Sequence, residues 1–378
     1  MSKKNILGVI AAFVLSTSVI IYACNKVSGS GNSDSTQIVV PIINPDTSIS
    51  NVLDTIRIVA VGDMMLGTLY PSDSYLPPDN DCSPLLMPLH AVLSNAHLTF
   101  GNLEGVFTDT RDGAKKCNDP NTCYTFGMPS SFVNCFVNAG FDYLSVANNH
   151  TADFGETGRK NTVKLLDDHK INWSGLDYKP SVIFEINGIK FGVVAFAPNQ
   201  GTAQITDYEL LKEEVKKLRA ECKIVIVSFH GGAEGKAHQH VTRNYETFLG
   251  QNRGNVYKFA HIAIDAGADL VLGHGPHVTR AVEIYKNKFI AYSMGNFATY
   301  SRISIQGESG LAPILKINLD TNGNFLNALI VPTFQIKYQG GPKIDSQKRV
   351  INIIQKLTAA DFPDGQLKIS NDGLITKK

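Results

Sequence analysis

From Thr55 onward the chain repeats one arrangement: a short run of β-branched and aromatic residues that ends in carboxylate, amide or imidazole groups. TIRIVAVGDMML delivers Asp63, LTFGNLEG delivers Asn102 and Glu104, and FDYLSVANNHTADFG delivers Asn148, Asn149 and His150. KIVIVSFHGGAE ends in His230 and Glu234, LVLGHGPH in His274 and His277, and FIAYSMGNF in Asn296. Between these runs lie PSSFVNCFVNAG, GRKNTVKLLDDHK, ELLKEEVKKLRAEC and NVYKFAHIAIDAG, whose apolar residues recur three and four apart. Such spacing predicts helices, and the apolar runs predict buried strands. Strands that alternate with helices and carry polar groups at their C-terminal ends define a layered α/β fold.

Two further segments predict hairpins. PSVIFEINGIKFGVVAFAP turns at Asn187-Gly188, and LAPILKINLDTNGNFLNALIVPTFQIKY turns at Asn322-Gly323. Antiparallel hairpins beside parallel βα units require a mixed sheet or two sheets packed together. DSQKRVINIIQKLTAAD predicts a last helix.

The N-terminus follows a different rule. Lys3 and Lys4 precede an apolar stretch from about Ile6 to Ile21 that stops at Ala23-Cys24, the profile of a secretory leader. A small residue before cysteine, followed by NKVSGSGNSDSTQ, is similar to a bacterial lipoprotein signal with Cys24 as the lipidated residue. Tyr22 is unusual there, and an uncleaved anchor is the alternative. The expected organisation is a signal or anchor over residues 1–24, a flexible linker over 25–53, the main domain over 54–340, and a C-terminal helix and tail over 341–378. Both routes put the main domain outside the cytoplasm, attached to a membrane.

That location permits disulfides. Cys117 and Cys123 lie in a polar loop where either can pair with the other or with Cys82, whereas Cys135 and Cys222 sit in apolar contexts that suit buried free thiols. Composition is that of an ordinary globular protein, with 43% hydrophobic residues, 18% charged residues and a net charge of +1. Nothing in it advertises a nucleic-acid partner.

A lone Gly-Asp or histidine after a strand is usually a turn, a cap or a half-buried side chain. Five strands ending in metal-type ligands outweigh that reading, because parallel strands converge their C-terminal loops on one crevice. A nitrogen and oxygen ligand set without thiolates suits zinc, manganese or iron and metal-assisted hydrolysis. Arg243 and Arg280 are cations that could meet an anionic substrate, while His238 and His240 in KAHQH read as a solvated loop.

The ordered set GDMMLG, GNLEG, ANNHTADFG, FHGGAE, GHGPHV and YSMGNF resembles the capsule-synthesis protein CapA family, also described as poly-γ-glutamate biosynthesis proteins, over roughly residues 56–300. That family is similar in turn to the calcineurin-like metallophosphoesterases, which implies a four-layer α-β-β-α sandwich with mixed sheets. The resemblance implies Asp63, Glu104, Asn149, His230, His274 and His277 as ligands of one or two divalent ions. It also implies His150 as general acid, with Glu234 as a replacement ligand or base and Asn102, Asn148 and Asn296 as substrate-binding amides. The expected substrate is a phosphoester or an anionic envelope polymer, and capsule-synthesis membrane proteins are the expected partners. Three departures from the phosphoesterases stand out. Glu104 stands where they carry a shorter bridging aspartate. Met64 and Met65 occupy the place of a first-strand histidine, and GHGPH carries two residues between its histidines instead of one. A mononuclear site and a non-catalytic accessory role in binding or exporting polymer therefore stand beside the hydrolase.

Overall fold

The structure is a computed structural model that describes residues 55–116 and 124–378. The expected leader with Cys24, the expected linker, Cys117 and Cys123 lie outside the described residues. Alternation within the apolar runs sets the layers. In the strand Ile56–Met65, Ile56, Ile58 and Ala60 face one cluster, while Val59 and Val61 face another. In Ile224–His230 and Leu270–His274 the same rule sends Ile224, Ile226, Leu270 and Leu272 to the first cluster and Val225, Val227 and Val271 to a third. Period-two alternation with both faces apolar is the mark of strands covered on both sides.

Three hydrophobic layers follow. The central one joins two sheets through Ile58, Phe100, Phe191, Ile226 and Leu272, and it also takes Val350, Ile351 and Ile354 from the helix Arg349–Asp361. One outer layer packs the helices Val133–Ala139 and Gly155–Asp168 on the first sheet through Phe136 and Leu166. The other packs Tyr208–Glu221 and Val256–Ala266 on the second sheet through Leu211, Val215, Phe259 and Ala263. The expected four-layer α-β-β-α sandwich with mixed sheets is thus present. Each of these fully buried side chains apart from Ala263 contributes about 1.5–3 kcal/mol through its transfer from water.

The first sheet has ten strands. Its parallel half runs Ile56–Met65, Leu98–Leu103, Tyr143–Ser145 and Asn172–Ser174, and Asn296–Thr299 also pairs parallel with the first strand. Its antiparallel half begins with the hairpin Leu311–Leu319 and Phe325–Phe334. The second sheet has six strands, and its parallel core is Ile189–Phe196, Ile224–His230, Leu270–His274 and Lys288–Ala291. Both predicted hairpins and all five predicted helices form. Residues 341–378 add more than a helix and tail, because Leu367–Ile369 and Leu374–Lys377 extend the edge of the first sheet. Their short alternation, LKI and LITK, is too brief to stand out in the sequence.

Cys82 and Cys135 form a disulfide across 53 positions, which corrects both the free-thiol expectation for Cys135 and the pairing of Cys82 with Cys117 or Cys123. Apolar surroundings bury a disulfide as readily as a thiol, and Cys135 is brought to Cys82 by the helix Val133–Ala139. Cys222 is a buried free thiol.

Candidate metal centre

Register places the first groups. Asp63 pairs with Asn102 on one side and with Asn296 on the other; Asp63 and Asn102 lie near the C-terminal ends of their strands, and Asn296 opens the strand Asn296–Thr299 that runs parallel to the first. The approach is close enough to require Gly62, where a Cβ would lie 2.0 Å from the Gly295 carbonyl oxygen. In the second sheet His230 pairs with His274. Gly275, at φ 110°, then packs a Cβ-free edge on Gly231 and turns the chain toward the first sheet.

That turn resolves the two-histidine motif. His277 adopts φ 56°, and its ring enters a cluster with Asp63 and Glu104 in which one ligand atom from each lies within 4.8 Å of the others. Its Nδ1–H donates to Asn296 Oδ1 at 2.8 Å and lies 3.4 Å from Asp63 Oδ2, while Nε2 lies 3.4 Å from Glu104 Oε1. Asn296 thereby fixes the ring with Nε2 toward Glu104, the arrangement in which a partner behind an imidazole frees the other nitrogen for a metal. His274 is turned into the core instead: Nε2–H donates to the Val61 carbonyl at 3.2 Å, and the ring stacks on Phe100 at 5.9 Å.

Other expected residues surround this cluster. His230 Nδ1 lies 3.9 Å from Asp63 Oδ1, and its Nε2 is buried without a hydrogen-bond partner. The Asn149 side-chain oxygen is also buried without one. His150 Nε2 lies 3.9 Å from Glu104 Oε1, and its Nδ1–H donates to Asp153 Oδ2 at 2.7 Å. Phe126 stacks on the His150 ring at 3.9 Å. Glu234 receives Arg253 Nη2–H at 2.8 Å on Oε1 and holds Oε2 3.9 Å from His277 Nε2.

The amides do other work than substrate contact. Asn102 Nδ2–H donates to Asp63 Oδ1 at 2.8 Å, which aims that carboxylate. Asn148 is fully buried, donates to the Leu103 carbonyl at 2.8 Å and accepts the His150 N–H at 3.0 Å, so it shapes the loop that carries His150. Asn296 is also fully buried and donates to the carbonyls of His277, Ser304 and Ser309. Arg280 is no substrate cation either. It is fully buried, pairs bidentately with Glu246 at 2.9 and 2.7 Å and donates to the Ala233 carbonyl. Arg243 stacks over Tyr257, and His240 pairs with Asp361 at 2.6 Å.

Electrostatics make the cluster a candidate cation site. Asp63 and Glu104 are both fully buried, and both Glu104 oxygens lack a hydrogen-bond partner. Burial without compensation is costly for a carboxylate. Burial pushes the Glu104 carboxyl well up, with the His277 charge opposing and Asp63 and Glu234 adding to the rise. For Asp63 burial also pushes upward, but the His277 hydrogen bond and the charges of His230, His274 and His277 outweigh it and hold the carboxyl down. His277 is pushed up to about 10: burial works against its charge, and Glu104, the Asp63 hydrogen bond and Glu234 overcome it. Burial pushes His230 and His274 down. An imidazolium thus serves as counter-ion to two carboxylates in the metal-free protein. Neutral nitrogen, paired carboxylates and orphaned buried oxygens fit a divalent ion.

Asp153 is the site residue that the strand-end reading passed over. It accepts from His150 and from the Phe126 N–H and pairs with Lys115 Nζ at 2.6 Å. The signal was present as HTAD, a His and an Asp three apart.

The family model of bacterial capsule synthesis protein PGA_cap matches residues 57–301. The chain is 26% identical over 265 residues to the capsule biosynthesis protein CapA of Bacillus anthracis, across 65% of this chain and 60% of that one. It is 27% identical over 181 residues to the PGA biosynthesis protein CapA of Bacillus subtilis strain 168, across 44% of each chain. It therefore spans less than two thirds of the length of these relatives. Among solved structures it is similar to a phosphatase from Mycoplasma pneumoniae, with a TM-score of 0.47 and 14% identity over 75% of this chain and 95% of that one.

Proposed function

The chain belongs to the bacterial capsule synthesis protein PGA_cap family, and from that premise we propose an extracytoplasmic, membrane-tethered capsule-biosynthesis protein with a metal-dependent hydrolase site for a phosphoester or an anionic envelope polymer. The observation that carries the hydrolase is Glu104: two buried, unpartnered oxygens with His277 Nε2 at 3.4 Å and His150 Nε2 at 3.9 Å. Asp63, Glu104 and His277 would hold the ion, with His230 and Asn149 as further donors. A divalent ion there supplies Lewis-acid polarisation of a phosphoryl or carbonyl oxygen.

The protein's own groups complete the chemistry. Asp153 holds the Nδ1–H of His150, which fixes the tautomer and presents Nε2 to the site. Burial pushes His150 down while Asp153 opposes, so the resting ring is neutral with Nε2 unprotonated; Nε2 would take a proton from the attacking water and, as an imidazolium held by Asp153, pass it to the leaving oxygen. Phe126 packed on its face keeps water from that side. Glu234 Oε2 faces the same crevice as a second proton acceptor.

The Cys82–Cys135 disulfide supports an oxidising compartment. Tethering by Cys24 or by an uncleaved anchor rests on the sequence, and among the described residues no helix is long and apolar enough to cross a membrane. A non-catalytic accessory role is the second reading, favoured by Met64 and Met65, which are buried where a further imidazole would stand. Hydrolysis of a phosphomonoester and phosphodiester panel by the metal-loaded chain separates the two. Turnover lost in Glu104→Ala and His230→Ala supports the enzyme; metal binding with no turnover across the panel supports the accessory role.

A further inference from the structure

Arg253 follows the small hairpin of Thr247–Phe248 and Gln251–Asn252. Its backbone is pinned on both sides: its N–H donates to the Glu246 carbonyl at 2.7 Å, and its carbonyl accepts the Gly232 N–H at 2.9 Å, next to the strand that ends in His230. The side chain is 5% exposed. One nitrogen, Nη2, is bonded to Glu234; Nε and Nη1 are buried and have no hydrogen-bond partner. Phe248 covers the guanidinium at 5.7 Å. Its charge acts on both Glu104 and His230.

Arg280 shows what a structural arginine looks like in this fold: three hydrogen bonds, two of them to the Glu246 carboxylate, leave only Nε without a partner. Arg253 is buried almost as deeply and lacks that compensation. A guanidinium offers five N–H donors in a rigid fork that matches oxyanions, and unmet donors in the interior are costly. Asp63, Glu104 and Glu234 also make the crevice repel an anion, which a fixed cation beside them offsets. We infer that Arg253 is an oxyanion-recognition residue of the candidate metal site, with Nε and Nη1 taking a phosphoryl or carboxylate oxygen of the substrate. The inference deepens the hydrolase reading and rests on it for the identity of the crevice.

The full chain is titrated calorimetrically with inorganic phosphate and with glutarate, each in EDTA and with saturating Mn²⁺, alongside Arg253→Met, Arg253→Lys and Glu234→Gln. Loss of a charge-assisted pair weakens binding of the favoured probe by about ten- to a hundred-fold in Arg253→Met, with a smaller loss in Arg253→Lys. Glu234→Gln keeps an acceptor for Nη2 but removes the charge that neutralises Arg253, and should tighten binding, the opposite sign from a mere structural salt bridge. The probe bound more tightly by the wild type identifies the oxygen source. Unchanged affinity for both probes in Arg253→Met, or weaker binding in Glu234→Gln, overturns the inference. If Arg253→Met fails to fold, the Arg253→Lys and Glu234→Gln titrations decide. Mn²⁺-dependent hydrolysis with Arg253-independent binding defeats this inference alone; Arg253-dependent phosphate binding without metal-dependent hydrolysis defeats the hydrolase reading alone.

Discussion

Glu104→Gln separates the role of this carboxylate as a ligand from its role in packing. Glutamine keeps the shape and removes the charge. In the metal-free protein Glu104 is fully buried, both oxygens are unpartnered and burial drives the carboxyl toward its neutral form. The substitution therefore changes metal-free stability by no more than about 1 kcal/mol, since relief of the buried carboxylate offsets the loss of its attraction to the His277 imidazolium. The metal-linked increment behaves oppositely. At a free Mn²⁺ concentration 100 times the wild-type Kd, linkage adds about 2.7 kcal/mol, or about 4 °C in a chain of this size. A hundred-fold weaker site reduces the increment to about 0.4 kcal/mol, under about 1 °C. Differential scanning fluorimetry in EDTA and in a Mn²⁺ series reads both quantities. An undiminished Mn²⁺ shift in Glu104→Gln, or a large loss of stability in EDTA, would refute the ligand role.

Three more outcomes follow from the same geometry. His150→Gln should lower kcat by about 10²- to 10⁴-fold with Mn²⁺ affinity retained, and Asp153→Asn should lower kcat in the same direction by releasing the His150 tautomer; steady-state kinetics beside metal titration checks both. His277, pushed up to about 10, stabilises the metal-free fold fully below its ordinary value and loses that contribution as pH rises toward 10. Metal must displace its proton, so loading near pH 7.5, an assay pH of about mid-window, should release at least one proton, and affinity should rise with pH; calorimetry in buffers of differing ionisation enthalpy measures the release. Removing the Cys82–Cys135 link, which closes 53 positions, should cost about 4 kcal/mol in the chain-entropy picture, read by urea denaturation of Cys82→Ser with Cys135→Ser.

The layers were legible because alternation is local: Ile58 and Val59 differ in facing by the pleat alone, and so do Ile226 and Val227. Convergence of strand ends on one crevice was legible from the repeated strand-then-ligand pattern, but not that the strands belong to two sheets. The division of labour between His274 and His277 was not, because it depends on a left-handed backbone at His277 and on a carbonyl of Val61 more than two hundred positions away. Asn148 and Asn296 read as substrate amides because a sequence shows the donor but not the carbonyl that receives it. Arg280 and Arg253 look alike in sequence; only their partners, Glu246 twice for one and Glu234 once for the other, tell them apart. The Cys82–Cys135 pairing was hidden for the same reason, since apolar neighbours suit a thiol and a disulfide equally.

The central claim is that Asp63, Glu104 and His277 form a divalent-metal site, and an anomalous difference map from crystals of the full chain grown with Mn²⁺ tests it most directly. The account predicts a peak bounded by Asp63 Oδ2, Glu104 Oε1 and His277 Nε2, absent from Glu104→Gln crystals. A map with no peak among these three residues at saturating Mn²⁺, or with its peak unchanged in Glu104→Gln, would contradict it.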